Sequence, residues 1–228
     1  MLGFEETCWQ SIREWLIAVG TVGAVLVALF WEPIRARWKR PKLDLSFDAS
    51  SPDAITVNVD YPAAGPSKYA PSHWLRLNVS NRPRRRSAHE VRVLVTSVHR
   101  LGPDGTAVER LPLDTVALIW SNLKKASDVT EIPPGVDRRV DVANLIWATN
   151  QLPRDGATGC EAELQVIPEP SARRNRLAAG RYRLDLALSA RDVDARRFSL
   201  LLKADGVWQS DAAAIGTHFT LEGLKSES

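Results

Sequence analysis

Cysteine, methionine and histidine are scarce in this chain of 228 residues, which holds two, one and four of them. The second cysteine, Cys160, stands alone beyond the first forty residues, so no disulfide framework can staple the rest of the chain. Zinc needs three or four ligands at workable spacing, and His73, His89, His99 and His218 are scattered with no cysteine beside them. His89 and Glu90 begin an H-E-x-x-H pattern, but the second histidine position is Val93. No G-x-x-x-x-G-K-[ST] loop is present to cradle phosphates, and no G-x-S-x-G elbow to present a nucleophile. Asp192 and Asp194 lack the glycine and terminal glutamate of a calcium loop. Repeats of 20–50 residues and low-complexity tracts are also missing. The expectation is a protein without a cofactor or a catalytic motif.

What the chain does have is one long uncharged run. Residues 15–31, bounded by Trp15 and Trp31, carry no charge over 17 positions. At about 1.5 Å per residue they span roughly 26 Å, near the short limit for a transmembrane helix. Tryptophan at both ends suits the headgroup boundary. The preceding segment holds Glu5, Glu6 and Glu14, and no small-residue cleavage site comes after the run, so a cleaved signal peptide is not expected. Only Arg13 precedes the run, whereas Arg35, Arg37, Lys39, Arg40 and Lys42 lie just beyond it. Positive flanks stay in the cytoplasm, which predicts an external N-terminus and an internal C-terminal domain. Pro33 suits the first turn of a new helical stretch, and Trp38 with the basic residues forms an interfacial collar on the lipid bilayer. Gly20, Ala24 and Ala28 form a small-residue stripe that would let two such helices pack, giving a homo-oligomer or a pair with another membrane helix.

The expected division is a short tail at 1–14, the span at 15–31, a basic segment at 32–42, one domain at 43–223 and a frayed end at 224–228. Inside that domain the charges nearly balance, 23 basic against 22 acidic. The excess of the whole chain therefore resides in the collar, which argues against a dedicated nucleic-acid binder. Hydrophobicity alternates with a period of two: Leu43, Leu45, Phe47; Ile55, Val57, Val59; Leu75, Leu77, Val79; Val91, Val93, Val95; Leu164, Val166; Tyr182, Leu184, Leu186, Leu188; and Phe198, Leu200, Leu202. Turn signals separate these runs at 48–53, 62–71, 102–105, 133–135, 155–156 and 205–206. Residues 115–123 and 142–151 read less clearly, with Val142 to Trp147 as either a strand or a short helix. Asp185, Asp192 and Asp194, with Arg191, Arg196 and Arg197, read as the charged surroundings of a hairpin tip. The pattern predicts an all-β domain, a β-sandwich behind a single N-terminal helix.

The stretch from Leu75 to Val95, L-R-L-N-V-S-N-R-P-R-R-R-S-A-H-E-V-R-V-L-V, resembles adjacent strands of an immunoglobulin-like module, as does the later Pro134-Gly135 turn before Val140 and Val142. The chain is thus similar to single-span bacterial membrane proteins carrying such a domain. The resemblance implies an adhesive or docking scaffold, without the inter-sheet cysteine pair of antibody domains.

Two arginine clusters fall between strands: Arg82, Arg84, Arg85 and Arg86 in one loop, and Arg173, Arg174 and Arg176 in another. Arginine presents planar, bidentate donors suited to carboxylate or phosphate. These are the candidate interaction residues of a cytoplasmic module at the inner membrane, with an unidentified protein as the expected partner. A membrane-tethered sensor of a small ligand or anionic headgroup is the alternative, and an enzyme whose site assembles only on folding the second.

Overall fold

The computed structural model describes residues 3–60, 69–121, 126–147, 154–191 and 193–227. The chain divides into two compact units, residues 1–40 and 41–228. The first is one helix, α1 (Gly3–Trp38). Within it Arg13–Glu32 forms a 20-residue window of mean hydropathy 1.9, long and apolar enough to cross a membrane by length and composition. Leu16, Ile17, Val22, Val27 and Phe30 are all exposed, so its apolar surface is left uncovered by protein. Thr21 donates its hydroxyl to the Ile17 carbonyl at 2.8 Å, satisfying the hydroxyl within the helix itself. The new helical stretch expected at Pro33 does not form. The backbone stays helical through that position, because a helix can absorb a proline by forgoing one hydrogen bond. The last turn closes with Lys39 N–H donating to the Arg35 carbonyl at 3.0 Å. Pro41 then disfavours helical geometry at Arg40.

The second unit is all-β, with one short helix. Its strands are β1 (Leu43–Ser46), β2 (Ala54–Asp60), β3 (Tyr69–Asn81), β4 (Ala88–Leu101), β5 (Ala107–Arg110), β6 (Val116–Trp120), β7 (Thr130–Ile132), β8 (Asp137–Trp147), β9 (Cys160–Leu164), β10 (Val166–Ile167), β11 (Arg176–Leu177), β12 (Gly180–Ala190), β13 (Val193–Ala204) and β14 (Phe219–Glu227). The helix α2 (Ala212–His218) precedes β14. One sheet runs β1, β3, β8, β6 and the other β4, β12, β13, β14, all pairs antiparallel. Strands A-B-E-D and C-F-G of an immunoglobulin domain have this order, with β3 and β4 as B and C. A second mark of that fold is Tyr182 near the start of β12, whose hydroxyl donates to the Ala178 carbonyl four residues upstream at 2.8 Å. Three departures enlarge the sandwich. β14 adds an edge strand, β9 to β11 fill the connection from β8 to β12, and β6 joins the sheets by pairing with β4 at its start and β8 at its end.

The core lies between the sheets. Leu77, Val79, Val140 and Leu145 face Val93, Val95, Leu184, Leu186, Leu200 and Leu202, all buried. Cys160 is buried among them as a free thiol, and desolvation pushes its pKa up to about 12.

Several expectations need correction. Residues 224–227 are not frayed: they complete β14 against β13 down to the Arg197 and Glu227 pair. Gly223, at φ 63°, shifts the register there, so Leu221 and Leu224 lose the period of two that marks other strands. Residues 69–71 belong to β3 rather than to the preceding turn, while 62–68 lie outside the described residues. Pro71 is tolerated because the β3 pairing to β8 has already ended at Trp74, so its missing N–H breaks no ladder bond. The helix α2 has no counterpart in the alternation pattern; Asp211 caps it, its carboxylate accepting from Ala214 N–H at 2.8 Å. Asp185 is not at a hairpin tip but inside β12. The ambiguous 115–123 and 142–151 are strand at Val116–Trp120 and up to Trp147; 122–123, 148–151 and Asp192 lie outside the described residues.

Candidate functional site

The loop between β3 and β4 carries the first arginine cluster, and its shape is set by one buried amide. Asn81 ends β3 at 1 % exposure. Its Nδ2 donates to the Arg86 carbonyl at 2.8 Å and to the Ile132 carbonyl at 3.0 Å, and its Oδ1 accepts from Lys42 N–H at 3.3 Å. Its backbone meets the turn before β8, through Asn81 N–H to the Val136 carbonyl and Gly135 N–H to the Asn81 carbonyl. Gly135 takes φ 70°, and a Cβ there would stand 3.8 Å from Pro83, so that turn lies against the loop. Arg82 N–H donates to the Lys42 carbonyl at 3.2 Å. The arginine loop is therefore fixed at the end of the sandwich where the chain enters it.

On this support Arg82, Arg84 and Arg86 are exposed and Arg85 is half-buried. Arg84 adopts φ 62°, a left-handed conformation costing a non-glycine residue about 1 kcal/mol. The rim of the same end is charged, with Arg191 within 3.7 Å of Glu90 and His89 within 3.7 Å of Glu131. These exposed pairs add little stability.

The second cluster lies elsewhere. Ser171–Arg173 forms a single 3-10 turn, with Arg173 and Arg174 exposed and Arg173 at φ 54°. Arg176 belongs to β11 and its Nε stands 3.0 Å from Glu163 of β9, so it serves the sheet. Asn175, buried beside it, donates to the Leu164 carbonyl at 3.1 Å. The two clusters sit on different elements and do not converge. Of the helix residues, Gly20, Ala24 and Ala28 are exposed, as are Trp15, Trp31, Arg35, Trp38 and Arg40, with Lys39 half-buried; Arg37 is described only in its backbone.

Two polar constellations are invisible in the sequence because folding alone unites them. On the outer face of the second sheet, Ser97 donates to the Asp185 carboxylate, Arg183 Nε lies 3.2 Å from Asp185, and His99 Nε2 is 3.1 Å from Ser97 Oγ and 3.4 Å from Asp185. One imidazole nitrogen faces both partners, and the serine proton is directed to the carboxylate. A nucleophile relay instead needs histidine between serine and carboxylate. On the outer face of the first sheet, Arg76 meets Asp141 at 2.7 Å, with both side chains only about one-eighth exposed, and Ser121 donates to the same carboxylate oxygen at 2.5 Å. Arg139 holds Asp53, which closes the loop between β1 and β2 by accepting from Asp48 N–H.

A half-open pocket of about 280 Å³ lies between β2, the loop before it and α2, lined by Ala49, Thr56, His73, Ala212, Gly216 and Phe219 among others. His73 sits at its back at 3 % exposure, with the Trp208 ring 5.4 Å away. Its Nε2 is 2.7 Å from the Gln209 carbonyl, which can only accept, so Nε2 carries the proton and Nδ1 accepts from the Thr56 hydroxyl at 2.6 Å. Desolvation lowers its pKa and so favours the neutral ring, against the opposing effect of the Gln209 hydrogen bond. Among the described residues no group of three or more His, Cys, Asp or Glu is placed to hold a metal ion. No protein-family model and no curated protein matches the chain.

Proposed function

We propose that the protein is a single-pass protein of the bacterial inner membrane that presents its immunoglobulin-like sandwich in the cytoplasm as a docking module, without catalytic activity of its own. The observation that carries this reading is the arginine loop. Three exposed arginines are mounted on a buried hydrogen-bonded support rather than on a loose segment, and Arg84 is held in a backbone conformation that glycine would adopt more cheaply. An exposed guanidinium cluster on a fixed backbone suits carboxylates of an acidic protein surface, because little loop order remains to be imposed on binding. The basic flank after the apolar helix supports the inward orientation.

Two measurements test it. A reporter fused to the C-terminus is active only in the cytoplasm if the orientation holds, and an exported signal overturns it. Site-specific photocrosslinking from Arg84 in intact membranes yields a discrete protein adduct that an Arg85→Ala, Arg86→Ala variant loses. Crosslinking to lipid alone would replace the protein partner with an anionic headgroup.

A further inference from the structure

We infer that the pocket between β2 and α2 is a second docking site, one that takes an extended apolar segment of a partner protein as an added β-strand. It rests on the reading of the sandwich as a docking module but uses a surface separate from the arginine loop.

The wall formed by β2 is an open sheet edge. Arg76 N–H donates to the Asp53 carbonyl at 2.8 Å, so that carbonyl points toward β3. Backbone direction alternates along a strand, and the register pairs Ile55 with Trp74 and Val57 with Ser72. The N–H and C=O of Thr56 and Asn58 therefore point away from β3, and Ala54 N–H turns the same way to reach the Ser50 carbonyl. Among the described residues β2 pairs with β3 alone, leaving the Thr56 backbone groups on one wall of the groove and those of Asn58 further along the same edge.

The opposite wall is cut back. Toward the groove α2 offers Ala212, Ala213 and Gly216, and a Cβ on Gly216 would meet nothing within 4 Å. Ile215 and Phe219, both buried, supply an apolar floor. The width is held by the hydrogen-bond chain from Thr56 through His73 to the Gln209 carbonyl, which ties β2 to the segment leading into α2. Alternating partial charges on one wall and apolar surface on the other complement an extended peptide: its backbone pairs with the edge while every second side chain enters the floor. A compact apolar ligand would leave those donors and acceptors unanswered.

The test uses the full-length chain in lipid nanodiscs and a fluorescein-labelled nonapeptide that alternates valine with threonine. Saturable binding by fluorescence anisotropy is expected. Asn58→Pro removes a donor from the free edge without touching the β3 ladder, and Gly216→Leu fills the groove; each should weaken binding at least tenfold with thermal stability retained. A peptide N-methylated on alternate amides should lose binding likewise. No binding to the wild type overturns the inference. So does binding that N-methylation and Gly216→Leu leave unchanged, and so does a concentration-dependent dimer abolished by both variants, which would make a second copy the occupant. Arg85→Ala, Arg86→Ala should leave peptide binding intact, so failure at the loop and failure at the groove are read separately.

Discussion

Replacing Asn81 by alanine tests whether one buried amide organises the end of the sandwich that carries the arginine loop. The substitution deletes three side-chain hydrogen bonds, to the Arg86 and Ile132 carbonyls and from Lys42 N–H, while leaving the two backbone bonds to Val136 and Gly135 in place. At about 1 kcal/mol net for each bond the loss is about 3 kcal/mol. The Ile132 carbonyl is the costliest to orphan, because Ile132 is fully buried, whereas water can reach the exposed Arg86. For a domain of this size, 1 kcal/mol moves Tm by about 2 to 4 °C, so a drop of about 6 to 12 °C is expected. Asn81→Asp should cost at least as much, since it turns a carboxylate oxygen toward two carbonyls that need a donor. Thermal unfolding followed by circular dichroism measures both, and hydrogen exchange should show earlier opening of residues 82–87. A Tm change under about 2 °C for Asn81→Ala, the effect of less than 1 kcal/mol, or an Asn81→Asp variant more stable than Asn81→Ala, would refute the reasoning.

Breaking the Arg76 and Asp141 pair with Asp141→Ala should cost about 2 to 4 kcal/mol in urea unfolding, and Arg76→Met with Asp141→Leu should recover most of it, because little solvent remains to satisfy a lone charge there. His73 has a folded pKa below its unfolded value, so the unfolded chain binds more protons as pH falls through 6.5. Stability should therefore decline from about pH 7.5 to about pH 5.5, with a shallower slope in His73→Gln; equal slopes in thermal unfolding would remove histidine from the cause. With its pKa pushed to about 12 from 9.0, Cys160 should be labelled by iodoacetamide in a Cys8→Ser background about a thousandfold more slowly than in the unfolded chain at about pH 8. Mass spectrometry of the labelled peptide reads this directly.

Much of the sandwich is legible wherever alternation runs unbroken. Leu184, Leu186 and Leu188, or Phe198, Leu200 and Leu202, face the core as their spacing requires. Legibility fails at bulges. The register shift between Asp185 and Leu186 lets Val95 and Val98 both face inward, so the continuation of β4 to Leu101 does not show as a period of two. The shift at Gly223 hides β14 in the same way. Tyr182 reads as one more apolar position, although Gly180 ahead of a tyrosine and alternating leucines is the local signal of its corner. The arginine loops can be found by composition, but the difference between them cannot. Asn81 supports one cluster, and Glu163 draws Arg176 of the other into the sheet.

By itself, the sequence determined what depends on neighbours in the chain: an apolar helix with basic residues after it, an all-β domain, and the absence of close-spaced ligand motifs. Membrane partitioning, alternation and turn formation are properties of short windows, so a window suffices to read them. Tertiary structure alone decided which sheet each strand joined, which asparagine holds the arginine loop, and that residues 54–56 would face residues 212–216 across a groove. Those outcomes depend on pairings between segments far apart in the chain, such as Arg196 with the Leu43 carbonyl at 2.7 Å. No local propensity encodes such a contact; it forms because both sheets must bury their apolar faces against each other.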